Sequence, residues 1–314
     1  SKSSILVGGQ AVIEGVMMRV PGYISTAVRD PHGDIITKRQ EFNTLVKKYK
    51  YLNLPIVRGA ISLFEAMKIG FRTLQWSADI SLPEEKQKQS KFTPILEWIM
   101  TIFSIVFALS LFILLPLGLT SWISNSDQHP MLYNIIAGAI RITIFLTYLL
   151  LISKTKDAKR LFEYHGAEHM VVYTFENGDP LDVENSSKYP TQHPRCGTSF
   201  MFIVMLVAII LFIIIDQIFI FIFGSITLLN RLVMHILFIP LVSGIGYEVL
   251  KFSSQNPNNI ILRYFTMPGL WLQNITTNTP QEDQLEVSLE ALKSAFGDTL
   301  PNYHGKKHIA DAIG

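Results

Sequence analysis

A single cysteine, Cys196, in 314 residues excludes an intrachain disulfide and fits a reducing compartment. Charge is scarce too: 17% of the residues are Asp, Glu, Lys or Arg against 49% apolar, a poor mixture for a soluble globular chain. With a net charge of +2 and no basic stripe interleaved with aromatics, no nucleic-acid partner is expected. "VGGQAVIEGVMMR" has glycines but neither G-x-G-x-x-G nor the Lys-Ser/Thr of a phosphate loop, which argues against nucleotide binding. The opening "SKSSILVGGQAVIEG" lacks a basic stretch followed by an apolar run, so no cleavable signal peptide is expected.

What the chain has instead is long apolar runs. Residues 95–123, 131–153, 199–223 and 228–250 each reach the roughly 20 mostly apolar residues that cross a bilayer core. "FSIVFALSLFILLPLGL" and "FMFIVMLVAIILFIII" are apolar on every face, unlike a surface helix of a globular protein. The expectation is an α-helical integral membrane protein with four transmembrane helices over 95–250. Of the 27 Lys and Arg, 14 fall in residues 1–94, six in the loop 154–198 and five in the tail 251–314, while the connector 124–130 has none. Because basic residues resist translocation, both termini and the central loop are expected to be cytoplasmic, with the chain multi-pass in the cell's inner membrane. The bilayer is the expected partner; monomer and homo-oligomer both stay open.

Residues 1–94 read as a small cytoplasmic α+β segment. "AVIEGVMMRV", "GYISTAVRD" and "GDIITKRQEF" are β-rich stretches separated by turn signals, a meander, followed by an amphipathic helix with Ile61, Phe64, Met67, Ile69, Phe71 and Leu74, for which the sheet and the membrane surface are both open as the docking face. "LPEEKQKQSK" is a solvated linker. A helix is expected from about Lys156 to a stop at Asn177-Gly178, then an irregular loop, with Thr198 or Ser199 capping the third span. In the tail, "RYFTMPGLWLQNITT" reads as an interfacial segment, and a helix over 280–296 starts from Thr279 as cap, Pro280 at the first position and Glu282.

The chemistry concentrates in "HGAEH". His165 and His169 stand one helical turn apart and can offer two imidazole nitrogens to one ion, with Glu168 on the edge of the same face. H-x-x-E-H is the inverted zincin order, in which the glutamate acts as base on a water. Spacing alone is weak, because "HGKKH" at 304–308 has it too, with two lysines that repel a cation and a solvated setting. "HPRCGTS" adds His193 and Cys196 on the same side of the spans, and Cys196, beside Arg195 and ahead of a helix N-terminus, is biased toward thiolate. An inert buried thiol and a Cys196–His193 nucleophile pair are the alternatives. Within the spans, Arg141, Asp216 and His235 should face the interior, Asp216 pairing most simply with Arg141. Glu248 is a further ligand candidate near the cytoplasmic end of the fourth span.

Three blocks in order, "GGQAVIEGVMMR", "HGAEH" and "HPRCGTSF", resemble the YqhQ-like family, bacterial and plastid membrane proteins described as a domain of unknown function and as predicted metal-dependent enzymes. The resemblance covers residues 8–296 and draws attention to Gln10, Glu14, Arg19, His165, Glu168, His169, His193, Arg195 and Cys196. It does not extend to the inverted-zincin peptidases, whose soluble fold does not accommodate four spans. The expected function is a membrane-embedded zinc hydrolase acting at the cytoplasmic interface on a peptide or lipid-derived substrate: His165 and His169 bind the metal, Cys196 or His193 completes the shell, Glu168 is the base, and Arg195 meets developing negative charge. The alternative is a non-enzymatic assembly factor or transporter in which the His/Cys cluster holds a structural metal or simply packs.

Overall fold

The computed structural model describes residues 5, 7–82, 94–124, 129–255, 259–303 and 305–308. A four-stranded antiparallel meander comes first: β1 (Gly8–Val12), β2 (Gly15–Val20), β3 (Tyr23–Arg29) and β4 (Ile35–Glu41), adjacent in that order. The stretch "AVIEGVMMRV" is a hairpin rather than one strand, since Val12 pairs with Gly15 across Ile13 and Glu14. Glu14 adopts φ 50°, a left-handed conformation costing about 1–2 kcal/mol for a residue with a Cβ. Arg160 grips its carboxylate, and the Arg29 amide donates to its carbonyl at 2.8 Å.

The helices follow: α1 (Val57–Ser81), then α2 (Pro94–Leu109), which passes through a π turn at Ser110–Leu114 into α3 (Leu115–Ile123). Next come α4 (Pro130–Ile152), α5 (Lys156–Asn177), α6 (Gly197–Phe223), α7 (Leu228–Leu237) and α8 (Ile239–Gln255). The last two are α9 (Ile260–Thr276) and α10 (Glu282–Phe296). Strand alternation divides β2 between two cores. Val16, Met18 and Val20 pack with Tyr164, Val171 and Phe175 of α5 and Leu292 and Phe296 of α10, while Met17 joins Val12, Ile24 and Val28 against Ile69, Trp76 and Ile80 of α1. Each such side chain contributes about 1.5–3 kcal/mol when fully buried. The sheet is therefore covered on both faces.

Among the described residues, three helical stretches are long and apolar enough to cross a membrane: Trp98–Ile123, Pro130–Ile152 and Gly197–Phe223. Leu228–Leu237 with Ile239–Ser253 counts as a fourth if the bent pair is one span, and its 50° break corrects the single helix expected over 228–250. Pro240 lacks an amide hydrogen and its ring crowds the preceding turn, and the helix breaks just ahead of it at Phe238. α8 returns antiparallel to α6, with Gly246 on Val204 and Val242 packed with Ala208 and Phe212. Its far end thus lies beside the start of α6.

Asp216 does not pair with Arg141. It receives hydrogen bonds from Asn134 and Arg231, both at 2.6 Å, because the short α6–α7 turn brings Arg231 back over it. Arg141 donates instead to the Phe112 carbonyl at 2.9 Å, and His235 stacks on Phe212 with its Nε2 3.5 Å from Asp216. Helix α10 begins two residues later than expected, since Gln281 and Gln284 exchange the hydrogen bonds of a capping box. The linker 83–91 and His304 lie outside the described residues. His308, expected to be solvated, is buried on Phe175, its amide donating to the Glu176 carbonyl at 2.9 Å.

Candidate metal centre

Helix α5 forms where the sequence signals placed it. The Thr155 hydroxyl accepts from the Ala158 amide, and Gly178, in the left-handed conformation at φ 75°, ends the helix with its amide bonded back to Thr174 and Phe175. One side of α5 lies on β1 and β2 and the other faces the loop after residue 178 and the end of α9, so a helix of mixed polarity is buried along most of its second half. Gly166 permits this: a methyl there would run into the Asn278 carbonyl.

His165 and His169 point the same way from this helix, ring centroids 4.5 Å apart. His165 Nδ1 lies 2.8 Å from the Thr276 carbonyl and His169 Nδ1 lies against the Thr191 carbonyl. Carbonyls only accept, so in the neutral rings both Nδ1 atoms carry the proton and both Nε2 lone pairs are left over. Cys196 completes the group, its Sγ 3.1 Å from His165 Nε2. Ligand atoms of His165, His169 and Cys196 all lie within 4.8 Å of one another. Ligand atoms around tetrahedral zinc sit about 3.3–3.6 Å apart, and a borderline His/His/Cys donor set suits that ion. The residues present fit the metal with small adjustments. Cys196 is also the N-cap of α6, in place of the expected Thr198 or Ser199, and its sulfur accepts from the Thr198 amide at 3.4 Å. A helix N-terminus favours the thiolate.

Glu168 adjoins the group without joining it. Its carboxylate is buried, lies 3.5 Å from His169 Nε2 and takes the Gly9 backbone amide. Burial pushes its pKa up to about 7, against the opposing pull of His165. His193, by contrast, is not among the converging ligand atoms. Its ring stands beside Tyr173 and faces Glu176, Nε2 to Oε2 at 3.6 Å. Arg195 is ion-paired with the same Glu176, so burial raises that carboxyl while His193 and Arg195 together hold it below its ordinary range. The pair thereby ties the loop carrying Cys196 to the end of α5.

The other sequence candidates lie elsewhere. Gln10 donates to Thr73 and Gly70 on α1, and the Arg19 guanidinium sits 4.6 Å over the Phe42 ring on that same face of the sheet. Glu14 is held by Arg160, and Glu248 is clamped by Arg58 at 2.5 and 2.6 Å. Sequence reasoning missed Gln273, whose amide spans both backbone groups of His193, at 2.7 and 2.9 Å, and reaches Ser199 Oγ at 3.1 Å. It also missed Thr276, Thr191 and Gly9. The polar run "LQNITTN" at the end of an apolar helix was the available signal for Gln273 and Thr276.

Residues 54–298 match the family described as "Protein of unknown function (DUF1385)". The chain is 30% identical over 299 residues to the "Uncharacterized protein YqhQ" of Bacillus subtilis (strain 168), covering 90% of each protein. No solved structure matches.

Proposed function

The chain belongs to the DUF1385 family, and we propose that it is a metal-dependent hydrolase embedded in the cell membrane, with its centre at the cytoplasmic surface. The convergence of His165, His169 and Cys196, with both Nδ1 atoms committed to carbonyls, carries this reading. His165, His169 and Cys196 would hold a zinc ion, which would supply Lewis acidity and activate water near neutral pH. With three protein ligands in place of the four of a closed structural site, such a centre would be open to water or substrate. Glu168, at the edge of the group, takes the proton from the attacking water and returns it to the leaving group. Arg195, already matched to Glu176, positions the Cys196 loop instead of meeting charge on the substrate. The membrane part of the reading draws on the three long apolar helices, the bent pair that returns to the site's side, and 24 of 27 basic residues outside these stretches. The substrate is then a peptide or lipid-derived bond presented at that surface.

A second reading draws on the 3.1 Å contact alone: Cys196 as nucleophile, His165 as base, Thr276 as the group orienting the base. It gives His169 nothing to do, which is why the metal reading is preferred. Metal analysis of the purified protein beside a His165→Ala/His169→Ala variant tests both, with about one metal per chain expected in the parent and almost none in the variant. Negligible metal in both sinks the metalloenzyme, and rapid alkylation of Cys196 in that protein transfers the site to the thiol reading. Glu168→Gln should keep the metal and lose complementation; retained function would leave a non-enzymatic, structural site.

A further inference from the structure

Helix α1 is amphipathic in the wrong sense for a helix docked on a soluble domain. Its buried residues are Gly59, Glu65, Thr73 and Ser77, small or polar, and protein partners satisfy them. Glu65 accepts the Leu45 amide at 2.9 Å, Thr73 accepts from Gln10, and Ser77 accepts the Ile13 amide at 3.1 Å. Only Ile69, Trp76 and Ile80 lean on the sheet. Phe64, Met67, Phe71 and Leu74, at helical spacing on one stripe, are turned outward, with Phe64 66% and Met67 65% exposed. A large apolar stripe facing outward marks an interaction surface rather than a solvated face.

The rest of the surface says what covers it. Gly59 lies directly on Gly244 and Tyr247 of α8, and Arg58 is clamped to Glu248, so α1 starts against the second half of a candidate span. Lys68 and Arg72 border the stripe, and the lead-in to the helix exposes Lys47, Lys48, Tyr49, Lys50, Tyr51 and Leu54. Lysines and tyrosines beside an apolar stripe match an anionic headgroup layer over acyl chains. We propose that α1 lies in the plane of the membrane, its Phe64–Leu74 stripe inserted between anionic lipids and its polar face carrying the β-sheet. This rests on the membrane reading above, and it adds a lipid contact outside the spans. Its geometry suspends the sheet, and with it Gly9 against Glu168, directly from the bilayer surface.

Spin labels placed at Phe64→Cys, Met67→Cys or Phe71→Cys in a Cys196→Ala chain, reconstituted in vesicles of phosphatidylcholine and phosphatidylglycerol, test it. Collision with oxygen should exceed collision with a water-soluble nickel chelate at all three, the reverse of a Thr37→Cys label on exposed β4. Nickel-dominated collision at the stripe overturns the proposal. So does exclusion of both reagents with spin–spin broadening, which means a second copy covers the stripe. Labels at Ile105→Cys in α2 and Leu150→Cys in α4 separate the two failures: oxygen-dominated spans with a nickel-dominated stripe defeat the α1 proposal alone, and nickel-dominated spans defeat the membrane reading with it. A photoreactive benzoylphenylalanine at Phe71, in a chain that keeps Cys196, repeats the test without that substitution. Lipid adducts are expected, and chain–chain adducts or none overturn the proposal.

Discussion

At the start of α6, Cys196 meets His165 and His169; toward the other end of the same helix, Asp216 meets Asn134, Arg231 and His235. Both clusters are polar and largely buried, His165 being half-buried. The second contains its own counter-charge, since the carboxylate receives the guanidinium, which also lies 3.9 Å over the Tyr133 ring. It joins α4, α6 and α7, with Arg231 answering the charge of Asp216, while Asp216 Oδ1, Arg231 Nη2 and both His235 ring nitrogens have no hydrogen-bond partner among the described residues. The first has three electron-pair donors converging and no cation among them, and the outer nitrogen of each ring is tied down by a carbonyl. Converging donors without a protein counter-charge are the feature on which the proposed metal centre rests, and outer hydrogen bonds of this kind fix ring orientations. Burial and polarity alone do not separate a site from helix glue; the presence of an internal partner does.

Breaking the self-contained cluster should have the largest effect on stability. Asp216→Ala strands Arg231 in the interior and is expected to cost about 3–5 kcal/mol, read as a lowered thermal midpoint in detergent, with metal per chain unchanged in the folded fraction. The inverse experiment removes metal: a chelator should lower the parent's stability by about 2.7 kcal/mol if free metal had stood at 100 times Kd, and leave the His165→Ala/His169→Ala variant unmoved. A chelator effect of equal size on both proteins would dissolve the contrast between the clusters. Gln273→Ala comes next, because it strips both backbone groups of His193 of their partner at once. A loss of about 1–3 kcal/mol is expected, together with a lower metal content, since the loop that Gln273 holds at His193 also carries Cys196.

Gln273 also marks where the sequence stops being readable. The long apolar runs, the His165–His169 spacing and the Asn177-Gly178 stop are local patterns, and α4, α5 and α6 appear close to where those patterns put them. The contacts that build the centre are not local: Gln273 reaches His193 across 80 positions and Thr276 reaches His165 across 111. No periodicity within α9 encodes them, so a helix that braces the site reads as a greasy segment with a polar end. The bend at Phe238 was legible in principle from Pro240. The first hairpin was not, because Glu14 takes a conformation normally advertised by Gly or Asn.

Glu14 gives the smallest prediction and the sharpest limit on the centre. It falls in the same sequence block as Gly9, which donates to Glu168, yet it pairs with Arg160 in the β1–β2 turn. Two effects oppose each other in Glu14→Gly: relief of the left-handed backbone, about 1 kcal/mol, and loss of an ion pair whose partners are 39% and 28% exposed, worth about 0–1 kcal/mol. The net change in thermal stability should be near zero or slightly favourable. Glu14→Ala keeps the strained backbone and loses the pair, so it should be the less stable of the two. Metal per chain should match the parent in both, as it should for any group that serves the fold and not the ion. A fall in metal content in Glu14→Gly would mean that the hairpin turn, acting through Gly9 and Glu168, belongs to the centre after all.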